Sequence, residues 1–167
     1  VISIENPRRA QALGIGMVFQ ELSLVESLTV AENVFGNRAP ARLGLTDWRR
    51  LNERTRGILA LLGLAVEPTA MVADLPVGKR QLVEIAKALS LDVRILILDE
   101  PTSALAPDEV ESLFTVIRRL RAQGIGVIYI THRMAELFAI ADRVTVLRDG
   151  HVITSRATAE CDTNAIM

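Results

Sequence analysis

The sequence predicts an α/β fold in which a parallel sheet forms the core and an α-helical subdomain is inserted into it. Short, wholly apolar runs such as "ILIL" (Ile95 to Leu98) are typical of central parallel strands that helices cover. The stretch from Asn37 to Leu91 instead shows apolar residues at the spacing of amphipathic helices. We therefore assign the core to residues 1–36 and 92–160 and the helical subdomain to residues 37–91.

The bulk composition excludes several classes of protein. Half of the 167 residues are hydrophobic, which is enough for a sizeable core. The formal net charge of −1 lacks the basic excess that nucleic-acid binders usually carry. The single cysteine, Cys161, excludes an internal disulfide and fits a reducing compartment.

The first elements are a strand and a short helix. "GIGMVF" (Gly14 to Phe19) is an apolar run that predicts a buried strand ending at Gln20. Thr29 and Glu32 have the spacing of a capping box, so we expect a helix to begin there. "NRAPARLG" (Asn37 to Gly44) predicts a loop.

Two longer helices are predicted next. Asp47 can cap the first, and Gly63 is a plausible stop. The second covers Gly78 to Asp92. On the first helix one apolar face holds Trp48, Leu51, Ile58, Leu59 and Leu62. On the second the inward residues are Leu82, Ile85, Ala86 and Leu89.

The last third of the chain returns to an α/β pattern. A helix is expected to begin at Pro107 and end at Gly124, followed by a second buried strand, "IGVIYI" (Ile125 to Ile130). A further helix is predicted over Arg133 to Ala141, and then a hairpin that turns on Asp149-Gly150. The apolar positions of the helix after Pro107 are Val110, Leu113, Phe114, Ile117 and Leu120.

Two carboxylates stand where the strand "ILIL" ends. In open α/β sheets, ligands bind at the carboxyl ends of the strands. Asp99 in that place can hold Mg²⁺, and Glu100 can polarise an attacking water. A solvated strand end would explain the two charges, but it does not explain the "PTSAL" that follows them.

Five motifs together resemble those of the ABC-type ATPases. "LILDEPTSAL" is similar to that family's Walker B strand, catalytic glutamate and D-loop, which "ALAPDEV" continues. Gln20 in "MVFQELSLVESLTVAENV" resembles the Q-loop, and "LPVGKRQLVEIAKAL" resembles the signature motif, with departures. His132 in "VIYITHR" resembles the switch histidine. The motifs stand in the family's order over nearly the whole chain, which makes the set far more specific than any one of them.

This resemblance implies a partial P-loop NTPase (RecA-like) core of the ABC ATPase type, with ATP and Mg²⁺ as cofactors. It implies three catalytic residues: Glu100 polarises water, His132 touches the γ-phosphate, and Gln20 senses the attacking water and couples to the membrane subunits. It also implies that Asp99 and Gln20 serve the metal. The resemblance places further residues beside a nucleotide: Leu75, Pro76, Val77, Gly78 and Lys79 of the signature, and Ser103, Ala104 and Leu105 of the D-loop. The signature would contact ATP held by an opposing module.

A subfamily resemblance follows from "QELSLVESLTVAENVF" together with "VEIAKALS". These segments are similar to the ATPase subunits of bacterial carbohydrate importers of the ribose, xylose and galactose type, in which two ATPase modules are fused. The signature looks more like that of the first module, so residues 161–167 would begin a linker to the second. Implied partners are transmembrane permease subunits, a second ATPase module or copy and, indirectly, a periplasmic sugar-binding protein, but no nucleic acid. The implied location is peripheral, at the cytoplasmic face of the bacterial inner membrane.

The loop that should wrap the phosphates does not occur in these 167 residues. No glycine begins the pattern G-x-x-x-x-G-K-[ST], and neither of the two lysines, Lys79 and Lys87, follows a suitable glycine pair. We expect a parent sequence that continues upstream of the Q-loop; a naturally degenerate module is the alternative. The parent would hydrolyse ATP, and the chain by itself would be inactive.

Two other functions remain open at this point. A soluble ABC-type ATPase acting on nucleic acid or ribosomes would share the site, but such proteins usually carry long coiled-coil or basic inserts, which this sequence lacks. A non-catalytic ABC half-module that only dimerises is the second alternative.

Overall fold

The computed structural model describes residues 3–42 and 44–161. The predicted linker over 161–167 therefore lies outside the described residues except for Cys161, and so does Leu43 of the predicted loop. The helices are α1 (Pro7–Ala12), α2 (Val30–Phe35), α3 (Trp48–Leu62), α4 (Val77–Leu89), α5 (Pro107–Ala122) and α6 (Met134–Ile140). The strands are β1 (Ile15–Val18), β2 (Ala41–Arg42), β3 (Leu45–Thr46), β4 (Ile95–Asp99), β5 (Gly126–Ile130), β6 (Arg143–Arg148) and β7 (His151–Ala157).

The central sheet has the order β1-β4-β5, and both of its pairings are parallel. Leu98 lies opposite Val18 on one side and Tyr129 on the other. The prediction that "ILIL" forms a central parallel strand is confirmed. Because the strands run in the same direction, their carboxyl ends meet at one edge, where ligands bind in sheets of this kind.

One face of this sheet is buried and the other is open among the described residues. Leu96 and Leu98 are 0 % exposed beneath the helices, and a Cβ on Gly16 would lie only 2.7 Å from Val93 Cγ1. On the opposite face, Ile128 and Ile130 are 50 % and 43 % exposed. The predictions of buried strands over 14–19 and 125–130, and of helices that cover both faces of "ILIL", are therefore wrong for this face, where Ile95 is also 37 % exposed.

The predicted caps of α2 and α3 are present. Thr29 and Glu32 form the reciprocal capping box at the start of α2. Asp47 accepts a hydrogen bond from the Arg50 N–H at 3.0 Å and so caps α3. Gly63 ends that helix with a φ of 67°, a conformation that glycine adopts without steric cost. Both helix boundaries thus follow from local chemistry.

Trp48 is an exception to the predicted apolar face of α3. Leu51, Leu59 and Leu62 are buried, but Trp48 is 54 % exposed. A helical side chain covers the turn N-terminal to its own Cα, and Trp48 is the first residue of α3. Its indole therefore projects past the end of the helix rather than into the core.

The remaining long helices and the hairpin agree with the sequence. On α4, Ile85 and Ala86 are fully buried. Helix α5 begins at Pro107 as expected, and its buried apolar residues include Leu113, Phe114, Ile117 and Leu120. Strands β6 and β7 are antiparallel and turn on Asp149 and Gly150, which both have positive φ, as a two-residue hairpin loop of type I′ requires.

Two local structures were not expected from the sequence. Helix α1 begins at Pro7, with Asn6 accepting a hydrogen bond from the Arg9 N–H at 2.9 Å, a common combination at helix starts. The predicted loop over 37–44 contains β2, which pairs with β3 in a short antiparallel ribbon. The assignment of domains to 1–36, 37–91 and 92–160 stays a prediction. Residues from all three ranges contribute to one hydrophobic cluster.

Within the described part of the chain, no helix combines the length and the apolar character needed to cross a bilayer.

Candidate functional site

Polar side chains collect at the carboxyl edge of the sheet. Gln20 lies just past β1, Asp99 and Glu100 end β4, and His132 follows β5. The Glu100 N–H donates a hydrogen bond to the Ile130 carbonyl at 2.9 Å, so the ends of β4 and β5 are joined by backbone. The structure therefore brings Glu100 and His132, two of the three predicted catalytic residues, from separate loops to one place. The third, Gln20, follows the neighbouring strand β1.

Glu100 and His132 are in direct contact. Glu100 Oε1 lies 3.0 Å from His132 Nδ1. The imidazole side chain is 72 % exposed, whereas the carboxylate is 29 % exposed. Glu100 also has a φ of 43°, which costs free energy in a residue other than glycine and is found mostly where surrounding structure enforces it. A carboxylate held beside an accessible imidazole can orient the ring and accept a proton from water.

Gln20 and Asp99 offer the oxygen atoms that a magnesium ion prefers. Both belong to the same sheet edge: Gln20 is exposed, and Asp99 is partly buried. Among the described residues, no group of three or more His, Cys, Asp or Glu side chains could hold a metal without other ligands. Mg²⁺ is usually bound by one or two protein oxygens together with water and substrate phosphates, so this donor set fits a metal that arrives with a nucleotide.

The D-loop residues form a tight turn directly after Glu100. The Ser103 N–H donates to the Glu100 carbonyl, and the Leu105 N–H donates to the Thr102 carbonyl, both at 3.2 Å. Ser103 and Ala104 are exposed, while Leu105 is partly buried. The exposed part of the turn is free to face another molecule.

The signature residues lie at the start of α4. Pro76 is the N-cap of this helix and has no side-chain cap, and Val77 and Gly78 open its first turn. The Gly78 N–H donates to Glu109 Oε1 at 3.1 Å. Lys79 is exposed, and Leu75 is partly buried against the core. The signature is thus attached to α5, the helix that follows the D-loop.

The signature and the edge of the sheet are not bonded to each other. Among the hydrogen bonds and ion pairs of the described residues, none joins residues 75–79 with Glu100 or His132. The two parts of the predicted site are thus held by different contacts. The predicted contact of the signature with a nucleotide on an opposing module stays a prediction.

Glu136 was not identified from the sequence. It is 6 % exposed and accepts hydrogen bonds from Thr102 Oγ1 at 2.8 Å, Tyr129 Oη at 2.7 Å and Thr131 Oγ1 at 3.0 Å. Burial raises the pKa of Glu136, but these hydrogen bonds and the charge of Arg133 outweigh it, so the pKa lies below its ordinary value. One signal was available: Glu136 stands four residues after His132, in the helix that directly follows it.

Glu84 is a second buried carboxylate that sequence analysis missed. It is 6 % exposed and accepts hydrogen bonds from the backbone N–H and the hydroxyl of Ser23, which lies just after Gln20. Lys87 Nζ donates to Ser23 Oγ at 2.7 Å, and Arg80 pairs with Glu26. Polar residues at this helical spacing on α4 were the signal, and together they attach the segment after Gln20 to the signature helix.

Comparisons with known proteins point to one family. A family model described as ABC transporter matches residues 3–103. A ribose import ATP-binding protein, RbsA 3, from Rubrobacter xylanophilus is 48% identical over 161 residues, which are 96% of this chain and 32% of that protein. A putative ribose/galactose/methyl galactoside import ATP-binding protein from Agrobacterium fabrum is 48% identical over 158 residues, 95% of this chain and 32% of that protein. The chain thus spans about a third of the length of these relatives.

Solved structures show the same fold. The ADP conformation of MJ1267, an ATP-binding cassette of an ABC transporter, superposes with a TM-score of 0.78 at 25% identity, covering 92% of this chain and 64% of that one. The cbiO1 protein of Clostridium perfringens gives a TM-score of 0.77 at 26% identity, covering 92% and 60%. The predicted α/β fold of the ABC ATPase type is confirmed. The family model matches more than half of the residues of this chain. The chain therefore belongs to the ABC transporter family of ATP-binding proteins.

Proposed function

We propose that this chain is part of the ATP-hydrolysing subunit of a bacterial sugar importer, in which ATP binding and hydrolysis drive carbohydrate uptake. The contact between Glu100 and His132 carries the proposal. It unites a base and an imidazole at the sheet edge where ligands bind, 3.0 Å apart, although the residues are 32 positions apart in the chain. The names of the relatives, which are import ATP-binding proteins, support sugar as the transported class.

In the proposed reaction, Glu100 polarises the water that attacks the γ-phosphate. The bond to the leaving ADP breaks, and the water proton passes to the carboxylate. With a proton on Nδ1, His132 would donate a hydrogen bond to Glu100, and with a proton on Nε2 as well it would also donate one to the γ-phosphate. Asp99 and Gln20 would hold Mg²⁺, which neutralises phosphate charge when it is bound.

The same proposal assigns partners and a location. Transmembrane permease subunits would dock to the ATPase, a second module or copy would complete each nucleotide site, and a periplasmic sugar-binding protein would act indirectly. The ATPase would lie at the cytoplasmic face of the inner membrane. The signature, which Glu109 attaches to α5, would face the ATP of the opposing module.

The 167 residues by themselves are proposed to be inactive. Backbone N–H groups and a lysine of a G-x-x-x-x-G-K-[ST] loop supply much of the phosphate binding in such enzymes, and this pattern is not among these residues. Hydrolysis is therefore assigned to the full-length protein.

The decisive test is Glu100→Gln in the full-length protein. The change keeps the shape of the side chain but removes its charge, so turnover of ATP should fall about 10²- to 10⁴-fold while ATP binding persists. Glu111→Gln is the matched control, since Glu111 is an exposed residue of α5 whose carboxylate makes no hydrogen bond or ion pair with any other described residue. Turnover by Glu100→Gln within a few-fold of the wild type, as for the control, would exclude Glu100 as the base.

A further inference from the structure

The two catalytic side chains belong to separate loops that must keep a fixed relation. Glu100 opens the turn that continues into Thr102, and His132 lies between Thr131 and Arg133 in the segment after β5. The His132 side chain is 72 % exposed, so packing alone does not hold the ring. The position of the ring therefore depends on the contacts that hold Thr131 and Arg133.

Both loops are anchored on the carboxylate of Glu136. One oxygen, Oε1, accepts from Thr102 Oγ1 at 2.8 Å on the Glu100 side. The other oxygen, Oε2, accepts from Thr131 Oγ1 at 3.0 Å on the His132 side. Arg133 Nη1 also approaches Oε1 at 3.4 Å. A single side chain thus spans the gap between the segments that carry the proposed base and the imidazole.

The environment makes this anchor stiff. Glu136 is 6 % exposed, and a buried charge that accepts several hydrogen bonds is hard to displace, because any lost bond leaves a polar group unsatisfied. The pKa of Glu136 lies below its ordinary value, so the carboxyl is charged at neutral pH. Burial raises the pKa of Tyr129, which keeps its O–H as a donor to Oε2 at 2.7 Å.

We propose that Glu136 is a positioning residue for ATP hydrolysis, which holds the His132 segment against the Glu100 turn so that the imidazole and the base keep their contact. The proposal rests on the hydrolytic function proposed above. It assigns Glu136 no contact with substrate: Glu136 acts through His132. Small displacements of catalytic groups lower reaction rates by large factors. Glu136 therefore affects turnover although it does not touch the substrate.

The test is Glu136→Gln in the full-length protein, assayed by steady-state ATP turnover. The neutral amide keeps the volume but replaces one acceptor oxygen with a donor, so Thr102 and Thr131 can no longer both be satisfied as they are now. We expect kcat to fall about tenfold or more while KM for ATP changes less than about threefold. The exposed Glu111→Gln variant should retain wild-type kcat.

A double-mutant cycle with His132→Ala separates positioning from general stability. If Glu136 acts through His132, adding Glu136→Gln to His132→Ala should cost less than about twofold, because the group it positions is already gone. Equal losses in both backgrounds would overturn the inference while leaving hydrolysis intact. If His132→Ala itself keeps wild-type turnover, the role proposed for His132 fails, and the positioning role fails with it.

Thr131→Val provides a second variant should Glu136→Gln not fold. It removes the donor on the His132 side, at 3.0 Å from Oε2, and nearly preserves the side-chain volume. We expect a loss of kcat of about threefold to tenfold, again absent in the His132→Ala background. A kcat equal to the wild type would show that the Glu136 anchor does not hold the histidine segment.

Discussion

Glu109, a residue of α5, links this helix to the signature through a hydrogen bond with Gly78. Its Oε1 accepts a hydrogen bond from the Gly78 N–H at 3.1 Å, and its Oε2 accepts one from the Ala106 N–H at 3.0 Å. A Cβ on Gly78 would collide with the same carboxylate. An alanine at this position would therefore have to displace the Glu109 carboxylate, although the backbone angle is ordinary, since Gly78 does not have a positive φ.

Gly78→Ala should loosen the start of α4 in spite of the higher helix propensity of alanine. That propensity favours alanine by about 1 kcal/mol at most, whereas a hydrogen bond to a charged group contributes about 1.5–3 kcal/mol. Hydrogen exchange of peptides over residues 75–82 of the full-length protein should become faster. In a Glu109→Ala background the same substitution should slow exchange or leave it unchanged; slower exchange from Gly78→Ala alone would contradict the steric account.

The acid stability of the protein should depend on Glu136. Its pKa is lowered from the ordinary 4.5, so its hydrogen bonds stabilise the fold fully above that value and are lost as pH falls through the lower folded pKa. Melting temperatures of the wild type and Glu136→Gln should differ most near neutral pH, and the difference should shrink progressively as pH falls below the ordinary 4.5. The exposed Glu111→Gln control should parallel the wild type throughout. A constant difference between Glu136→Gln and the wild type down to pH 3.5 would contradict this linkage.

Local chemistry made much of the fold predictable. The capping box at Thr29, the cap at Asp47 and the turn at Asp149-Gly150 each depend on residues that are neighbours in sequence. The exposure of Ile128 was not predictable, because an apolar strand looks the same whether or not a helix covers it. The apolar pattern of a strand shows which residues are hydrophobic, but it does not show whether a helix packs against them.

The candidate site was also predictable only in part. Glu100 could be assigned to a sheet edge because it follows an apolar strand, and His132 was added through the resemblance of "VIYITHR" to the segment of the switch histidine. Their supporting contacts could not: Glu109 meets Gly78 across 31 residues, and Glu136 meets Thr102 across 34. Such contacts depend on how separate helices and loops pack together. The spacing of residues within one helix or strand does not predict them.

The 167-residue chain alone should bind ATP poorly. Asp99 and Gln20 offer oxygen ligands, but a metal and a triphosphate also need the phosphate-binding loop, whose pattern is not among these residues. Titration with a fluorescent ATP analogue and Mg²⁺ should show no saturation in the micromolar range, with the full-length protein as the positive control. Micromolar binding by the chain alone would show that the phosphates are held by other residues.

The last prediction concerns the departures in the signature. The family pattern L-S-G-G-Q appears here as Leu75, Pro76, Val77, Gly78 and Lys79. Pro76 has neither a hydroxyl nor a backbone N–H, so two donors to a phosphate on the opposing module are lost. Each such bond to a charged group is worth about 1.5–3 kcal/mol. Lys79 is exposed near the start of α4, and its charge partly compensates. We therefore expect an asymmetric pair of sites, in which the one completed by this signature is the slower.

Pro76→Ser together with Val77→Gly should raise the ATPase rate of the full-length protein. Pro76 is the N-cap of α4 and has no side-chain cap, so serine there would also stabilise the helix by about 0.5–2 kcal/mol. Pro76→Ala with Val77→Gly is the matched control, because alanine restores the N–H but supplies no hydroxyl and no cap. A rate that rises in the serine variant and not in the alanine variant, with no rise when Glu100→Gln is also present, would assign the gain to the serine hydroxyl. No gain is expected when Glu100→Gln is present, because a faster hydrolysis still requires the carboxylate of Glu100. An equal or lower rate in the serine variant would mean that the signature as it stands is already competent and that the two sites do not differ for this reason.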